Sequence, residues 1–183
     1  MKILALSGSL REASINSAFC RTAVRLAPAE VQAQVFAGLG HLSLFNPDLE
    51  NPPPPAVLTL REAIDAADAL LIASPEYAHG ISAVMKNALD WLVSFEGTVN
   101  KPIALVNTSP RARHAYDSLR EVLQTMSTQI VEDASITLPL LGACVTEDAM
   151  FAAPTVRREI AAIYGALAAH LAGKIGAASF PLG

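Results

Sequence analysis

Between Gly8 and Asn16 the chain places Ser9, Arg11, Ser14 and Asn16 within one short stretch. Hydroxyls, a guanidinium and a primary amide at this spacing suit the gripping of an anion. Ser9 and Ser14 can donate O–H, Asn16 can donate from its amide, and Arg11 can offer a phosphate two parallel hydrogen bonds. The flanking residues put these groups where an anion binds well. Ile3–Leu6 is a short apolar run that reads as a buried strand, Ser7-Gly8-Ser9 ends it, and a helical pattern begins at Ile15. A strand, a polar loop and a helix N-terminus aim free backbone N–H groups and the positive end of a helix dipole at one spot. The segment points to a phosphorylated small molecule. Read without a ligand, the same Ser, Gly and Asn are ordinary turn and capping residues.

Several better-known phosphate loops do not fit. No G-x-x-x-x-G-K-[ST] is present, which excludes that nucleoside-triphosphate loop. Gly8 stands alone, so there is no G-x-G-x-x-G, and the predicted second strand ends near Phe36-Ala37-Gly38 with no acidic residue for a ribose. A cysteine phosphatase needs a thiolate in the anion loop, and neither Cys20 nor Cys144 lies there.

Composition narrows the classes further. The 183 residues suit a single domain over 1–183 with a substantial core. Hydrophobic residues make up 52%, many of them alanine, as closely packed helices on a sheet require. A net charge of −4 with no basic cluster argues against nucleic acid as a partner. The longest weakly charged stretch, Ile160–Gly173, falls short of the roughly 20 residues that span a bilayer. No basic-then-apolar leader precedes the first strand, and two unrelated cysteines suggest neither a disulfide framework nor a metal site. The expectation is a cytoplasmic protein without a membrane partner. Charged residues are sparse at 16%, consistent with part of the surface being covered by another subunit.

Strand-like and helix-like segments alternate along the chain. Helices are expected over about Ile15–Leu26, Val57–Ala67, Ala83–Val93, Ala115–Met126 and, as one long element, Glu147–Leu171. Strands are expected at Ile3–Leu6, Val31–Phe36, Ala69–Ala73, Ile103–Val106 and within Ile130–Leu138. The fully apolar Ala69–Ala73 reads as a central parallel strand. The irregular stretch Ala37–Ala56 is long enough to be a functional or interface element. Five βα units imply an α/β doubly wound parallel sheet with helices on both faces. In a five-stranded order 2-1-3-4-5, as in flavodoxin-like folds, ligands bind where the order reverses, between strands one and three. That brings Ser9–Asn16 beside Ser74–Ile81.

The second of these loops reads Ser74-Pro75-Glu76-Tyr77-Ala78-His79-Gly80, and Lys86-Asn87-Ala88-Leu89-Asp90-Trp91 follows. Together with the first loop, these residues resemble the NADPH-dependent FMN reductase family. That family carries G-S-x-R-x-x-S-x-N after strand one and P-E-Y-N…L-K-N-A-[IL]-D-W after strand three. Gly8, Ser9, Arg11, Ser14 and Asn16 complete the first motif; Pro75, Glu76, Tyr77 and Lys86–Trp91 match the second. Ser43–Glu50 also looks like the family's stretch after strand two. The motifs cover about Lys2–Ser109, and the rest agrees in pattern only.

The resemblance implies a flavodoxin-like FMN-binding domain that takes hydride from NADPH or NADH. Ser9, Leu10, Arg11, Ser14, Ile15 and Asn16 would hold the FMN phosphate. Pro75, Glu76, Tyr77 and Ala78 would lie along the ring edge, with Thr108 and Ser109 contacting the ring. The cofactor carries the chemistry, so no catalytic side chain is required. Implied acceptors are small molecules: a quinone, a free flavin, an azo compound or chromate. A homodimer or homotetramer is implied, with the Asn46–Pro55 loop near a neighbour's site. The alternative is a non-enzymatic flavin-binding electron carrier or redox-responsive interaction protein, against which the modest charge argues. A third reading is a relative that has lost flavin and binds another phosphorylated ligand.

The chain departs from the family pattern at Ala78, where the family has asparagine, at Ser82, Ala83 and Val84, where proline and glycines are usual, and at Thr108–Arg113, which lacks a glycine-rich run. Arg111 and Arg113 either attract an anionic acceptor or the extra phosphate of NADPH, or are solvated surface. Glu76 is expected to order its loop, Lys86 and Asp90 to pair at i,i+4, Trp91 to be core or interface, and Cys20 to be buried and inert. Of the scattered His41, His79, His114 and His170, only His79 is expected near the site.

Overall fold

Strand β1 (Lys2–Ser7) is buried from Ile3 onward. A strand buried on both faces must sit in the middle of a sheet with helices packed on each side. In the computed structural model, which describes residues 1–142 and 144–178, β1 pairs in parallel with β2 (Gln32–Val35) on one edge and β3 (Ala69–Ala73) on the other. The reading of one unit over 1–183 includes 143 and 179–183, which lie outside the described residues. Between β1 and β2 runs α1 (Ile15–Arg25), and between β2 and β3 runs α2 (Pro55–Asp65). The chain therefore steps one way from β1 and then returns to its other side, which creates the expected reversal point at the carboxyl ends of β1 and β3.

After β3 the chain forms a small antiparallel hairpin, β4 (Glu76–Tyr77) and β5 (Gly80–Ile81), and enters α3 (Ala83–Asp90). The hairpin replaces the plain loop expected there. Helix α3 stops at Asp90, short of the expected Val93, and its buried residues are Met85, Ala88 and Leu89. Next come β6 (Pro102–Asn107), parallel to β3, and α4 (Arg113–Thr125), which begins two residues before its apolar pattern.

The fifth strand is split. β7 (Gln129–Ile130) and β8 (Ile136–Thr137) each pair with β6, and a 3-10 turn at Glu132–Ala134 lies between them. At the break, Ser135 Oγ accepts from the Leu105 N–H at 3.0 Å, replacing the missing ladder bond. The order is thus 2-1-3-4-5 with an interrupted last strand.

The long C-terminal helix also differs from expectation. It is two helices, α5 (Glu147–Ala152) and α6 (Pro154–Ala178), because Ala153 is extended (φ −77°, ψ 116°) ahead of Pro154. A residue preceding proline is disfavoured in helical conformation.

Alternate strand residues feed two cores. Ile3, Ala5, Leu71 and Val106 pack with Phe19 and Ala23 of α1 and Ile160, Ile163 and Leu167 of α6. Leu4, Leu6, Ile72 and Leu105 pack with Leu60 of α2, Met85 of α3 and Leu119 of α4. Cys20 is wholly buried in the first core, and burial pushes its thiol up to about 12. Trp91 is wholly buried in the second, its Nε1–H donating to the Ser43 carbonyl at 2.8 Å.

Candidate functional site

Three loops meet at the carboxyl ends of β1, β3 and β6. Their closeness begins with Gly8. A Cβ there would lie 2.3 Å from Ser74 Oγ and 2.9 Å from Ser82 Oγ, so only glycine lets the turn after β1 sit against the loop after β3. The Gly8 N–H donates to the Ala73 carbonyl at 2.9 Å, and Ser82 Oγ donates to the Gly8 carbonyl at 2.6 Å. Ser82, one of the residues that departs from the family pattern, also caps α3 by accepting from the Met85 N–H at 3.3 Å.

The turn then runs to the N-terminus of α1. Ser14 is its N-cap, accepting from the Ser17 N–H at 3.2 Å. Among the described residues, the N–H groups of Ile15 and Asn16 meet no acceptor within the chain, as expected in a first helical turn. Ser17 Oγ lies 2.8 Å from Ser7 Oγ and donates to the Ser9 carbonyl, holding the turn from beneath. Ser9 Oγ accepts from the Arg11 N–H at 3.3 Å. Leu10, 64% exposed, passes over Gly40, whose added Cβ would lie 2.8 Å from Leu10 Cδ2.

Asn16 joins the first loop to the third. It is buried, and its Oδ1 accepts from Thr108 Oγ1 at 2.9 Å, so the first turn of α1 and the end of β6 are fixed to each other across 92 positions of sequence. Its NH2 group has no acceptor among the described residues. Asn107 braces the loop that follows: its Oδ1 accepts from the Ser109 N–H at 3.1 Å and its amide donates to the Ala112 carbonyl at 3.3 Å.

Two adjoining clefts result, with Ile15, Asn16 and Pro75 in both walls. The larger, about 580 Å³, is bounded by Ser9, Arg11, Ser14 and Tyr77 and closed on its far side by Val145–Glu147. The smaller, about 320 Å³, is bounded by Glu76, Thr108, Ser109, Arg111 and Leu140–Leu141. Every residue expected at the site except Leu10 and Ala78 lines one of these clefts. Leu10 leans on Gly40, and Ala78 sits at the tip of the hairpin with φ 49°.

Glu76 has a structural task. Its Oε2 accepts from the Ala115 N–H at 2.9 Å, so the carboxylate caps α4 from the neighbouring hairpin. One expectation needs correction: His79 is not the only histidine here. His114 stacks on it with ring centroids 4.4 Å apart, because α4 begins early enough to carry His114 to the hairpin. Residues Thr146 and Glu147 were also absent from the sequence reading of the site. Thr146 caps α5 by accepting from the Ala149 N–H, and Glu147 pairs with Arg21 at 2.8 Å, which offsets its charge on the cleft wall. The Thr-Glu-Asp run is a legible helix start, but nothing local says that this start faces the first loop.

The profile of the family described as NADPH-dependent FMN reductase matches residues 1–140. The chain belongs to this family. An NAD(P)H-dependent FMN reductase of Pseudomonas aeruginosa is 45% identical over 92 residues, covering 50% of this chain and 49% of that protein. A quinone reductase of Escherichia coli K12 is 30% identical over 140 residues, covering 72% of this chain and 73% of its own. The chain thus spans about half the length of the first relative and nearly three quarters of the second. Among solved structures, the flavoenzyme NAD(P)H:(acceptor) oxidoreductase FerB of Paracoccus denitrificans superimposes with a TM-score of 0.73 at 26% identity, covering 92% of this chain and 98% of that one. A Pseudomonas aeruginosa flavodoxin shares the fold, with a TM-score of 0.58 at 16% identity. The motif segment Lys86–Trp91 lines neither cleft. Lys86 pairs with Asp90 along α3, while Asn87 and Trp91 hold the segment after β2: Asn87 Oδ1 accepts from the Phe45 N–H and its amide donates to the Ser43 carbonyl.

Proposed function

We propose that this protein is an FMN-dependent NAD(P)H oxidoreductase that passes electrons to small acceptors, quinones foremost. The observation that carries the reading is the pair of joined clefts, the larger lined by the anion donors Ser9, Arg11 and Ser14 and the smaller by Glu76, Thr108 and Ser109, which share Ile15, Asn16 and Pro75. The residues present fit FMN. The N–H groups of Ile15 and Asn16, the hydroxyls of Ser9 and Ser14, and the guanidinium of Arg11, which meets no acceptor among the described residues, supply a phosphate seat. Pro75, Glu76, Thr108 and Ser109 flank the smaller cleft, where a flat ring would lie, with Tyr77 on the wall of the larger one.

When bound, FMN supplies the hydride acceptance and return that link NAD(P)H to the acceptor. The chain's own residues bind and orient. Thr108 fixes Asn16, and Asn16 presents its free NH2 group at the shared wall. Tyr77, 57% exposed, offers an apolar face at the rim on which a planar acceptor can rest. Glu76 moves no proton, since its carboxylate is engaged with α4. The relatives named quinone reductase support quinones as the acceptor class. Exposed Leu10 and Leu141 beside the clefts, and Leu44 in the segment after β2, support a homodimer or homotetramer that covers them. No helix among the described residues is long and apolar enough to cross a membrane.

Purified protein is expected to be yellow, or to become so with FMN, and anaerobic NADPH should bleach that colour directly. Arg11→Ala should weaken FMN binding about tenfold or more, followed by quenching of flavin fluorescence. Unaltered affinity in that variant would overturn the phosphate assignment.

A further inference from the structure

Helix α1 carries the larger cleft well past the seat proposed for a phosphate. Ser14, Ala18 and Arg21 stand at i, i+4 and i+7, so they share one face of the helix, and all three line that cleft. From Ser14 to Arg21 the axis advances about 10 Å, and a long helical side chain leans back toward the N-terminus. Arg21 thus serves the stretch of cleft just beyond the Ser9–Asn16 loop. A single phosphate occupies the near end only.

Four ionisable side chains line this cleft: Arg11 and Glu12 on the loop, Arg21 and Glu147 at the far wall. At the far wall the charges cancel. The Arg21 Nε–H donates to Glu147 Oε2 at 2.8 Å. The other Glu147 oxygen lies 3.9 Å from Arg25 Nη1, which pairs with Asp148 at 2.8 Å. Helix α5, which presents Glu147, is fastened to α1 by other contacts as well. Thr22 Oγ1 donates to the Glu147 carbonyl at 3.3 Å, and the Arg25 guanidinium lies 3.8 Å from the centre of the Phe151 ring. An exposed ion pair adds little to stability, but it decides the local field. The near end keeps Arg11 and the positive end of the helix dipole. The far end offers an anion no net positive charge, and Glu12 adds a carboxylate beside the loop. Glu147 comes from a part of the chain beyond residue 140, where the match to the family profile stops.

We propose that Glu147 is a specificity-determining residue. By neutralising Arg21, it restricts the larger cleft to ligands that end in one phosphate and disfavours those that continue into a pyrophosphate. For a flavin, this is the choice of FMN over FAD. The inference rests on the flavin reading of the site.

The test titrates the flavin-free full chain with FMN and with FAD at low salt, following flavin fluorescence. The parent should bind FMN more tightly than FAD. Changing one unit charge several ångströms away in a water-like medium alters affinity about fivefold. Glu147→Gln, which keeps the shape and removes the charge, should lower the FMN-to-FAD affinity ratio about fivefold, chiefly because FAD gains. Glu147→Ala should lower it at least as far. Arg21→Ala should raise the ratio, because the carboxylate is then left unneutralised. Arg21→Ala combined with Glu147→Gln should return it close to the parent value. Added salt should shrink every one of these shifts. A purely structural role for the pair predicts something else: either single substitution would loosen α5 and move the ratio the same way. Shifts of one sign in both single variants, or no shift in either, overturn the proposal. Calorimetry with inorganic pyrophosphate and inorganic phosphate on the same proteins should show the same opposed shifts. If the chain does not hold FMN, the flavin reading falls, and the pyrophosphate measurement still decides the role of Glu147.

Discussion

The turn after β1 and the hairpin after β3 face each other across the clefts, and they are built in opposite ways. The turn is fixed from several directions. Gly8 is wedged between Ser74 and Ser82, Ser17 supports it from below, and buried Asn16 ties its end to Thr108. The hairpin is held by two ladder pairs, one bond from Glu76 to α4, the stacking of His79 on His114, and Ile81 against the second core. Its tip, Ala78 and His79, is exposed and bears positive φ on both residues. The side proposed to seat a phosphate is therefore rigid, with its donors already in place. The side proposed to face a ring and a second reactant has an exposed tip with fewer hydrogen bonds behind it. The departures from the family pattern fall on the hairpin tip at Ala78, on Ser82–Val84 where α3 begins, and on Thr108–Arg113, and they spare the first turn itself.

The harshest way to break this contrast is Gly8→Ala. The added methyl would meet Ser74 Cβ at 2.8 Å as well as both serine hydroxyls. Overpacking of this kind costs about 1–3 kcal/mol, and here it also pushes the two loops apart. A clear fall in Tm together with loss of FMN binding is expected. A variant that binds FMN normally would mean the turn is not fixed by its contact with Ser74 and Ser82. Next is Asn16→Ala, which leaves the buried Thr108 hydroxyl without its acceptor. The expected cost is about 2 kcal/mol in chemical denaturation, with weaker FMN binding beside it. Adding Thr108→Val should recover part of the stability, since it removes the stranded hydroxyl, but none of the affinity.

Glu76→Ala probes the hairpin side. Loss of a helix-capping interaction costs about 1 kcal/mol, so Tm should drop by about 2–4 °C in a chain of this size. Hydrogen exchange should rise at the first turn of α4. The pH profile of turnover should keep its shape, because no proton passes through this carboxylate. A profile that loses one limb in this variant would assign Glu76 to acid–base chemistry and contradict its capping role.

How much of this could be read from residues alone follows from the range of the contacts involved. β1, β3 and β6 are contiguous apolar runs, and their order at the reversal point follows from the alternation with helices. The motif Gly8–Asn16 lies within a single turn, so its meaning is local. The fifth strand was blurred because its ladder survives only as β7 and β8, with Ser135 substituting at the break. The division of the last helix was legible in Pro154, whose effect on Ala153 outweighs the apolar stripe that runs through both halves. The hairpin was hidden because Ala78-His79 carries none of the residues that announce a tight turn. Ser82 to Gly8, Asn16 to Thr108 and His79 to His114 join residues distant in sequence, and periodicity carries no information about such pairs.

The finest probe of the contrast is Ala78→Asn. Ala78 sits at φ 49° and His79 at φ 61°, between the paired Tyr77 and Gly80. A two-residue connection with positive φ at both positions is a type I′ turn, which favours Asn at its first position. For a residue with Cβ the left-handed region costs roughly 1–2 kcal/mol, and asparagine's short polar side chain recovers part of that through local hydrogen bonds. Ala78→Asn should therefore stabilise the protein by about 0.5–1 kcal/mol, or about 1–4 °C in Tm. Ala78→Gly relieves the same strain but raises the entropy of the unfolded chain, so its gain should be smaller. The ranking, Asn above Gly above Ala, separates backbone strain from packing at the tip, where Ala78 is exposed and contributes little. If Asn lowers Tm while Gly raises it, the tip has no room for a larger side chain and the hairpin is held more tightly than its exposed tip implies. The two faces of the cleft would then be alike in rigidity.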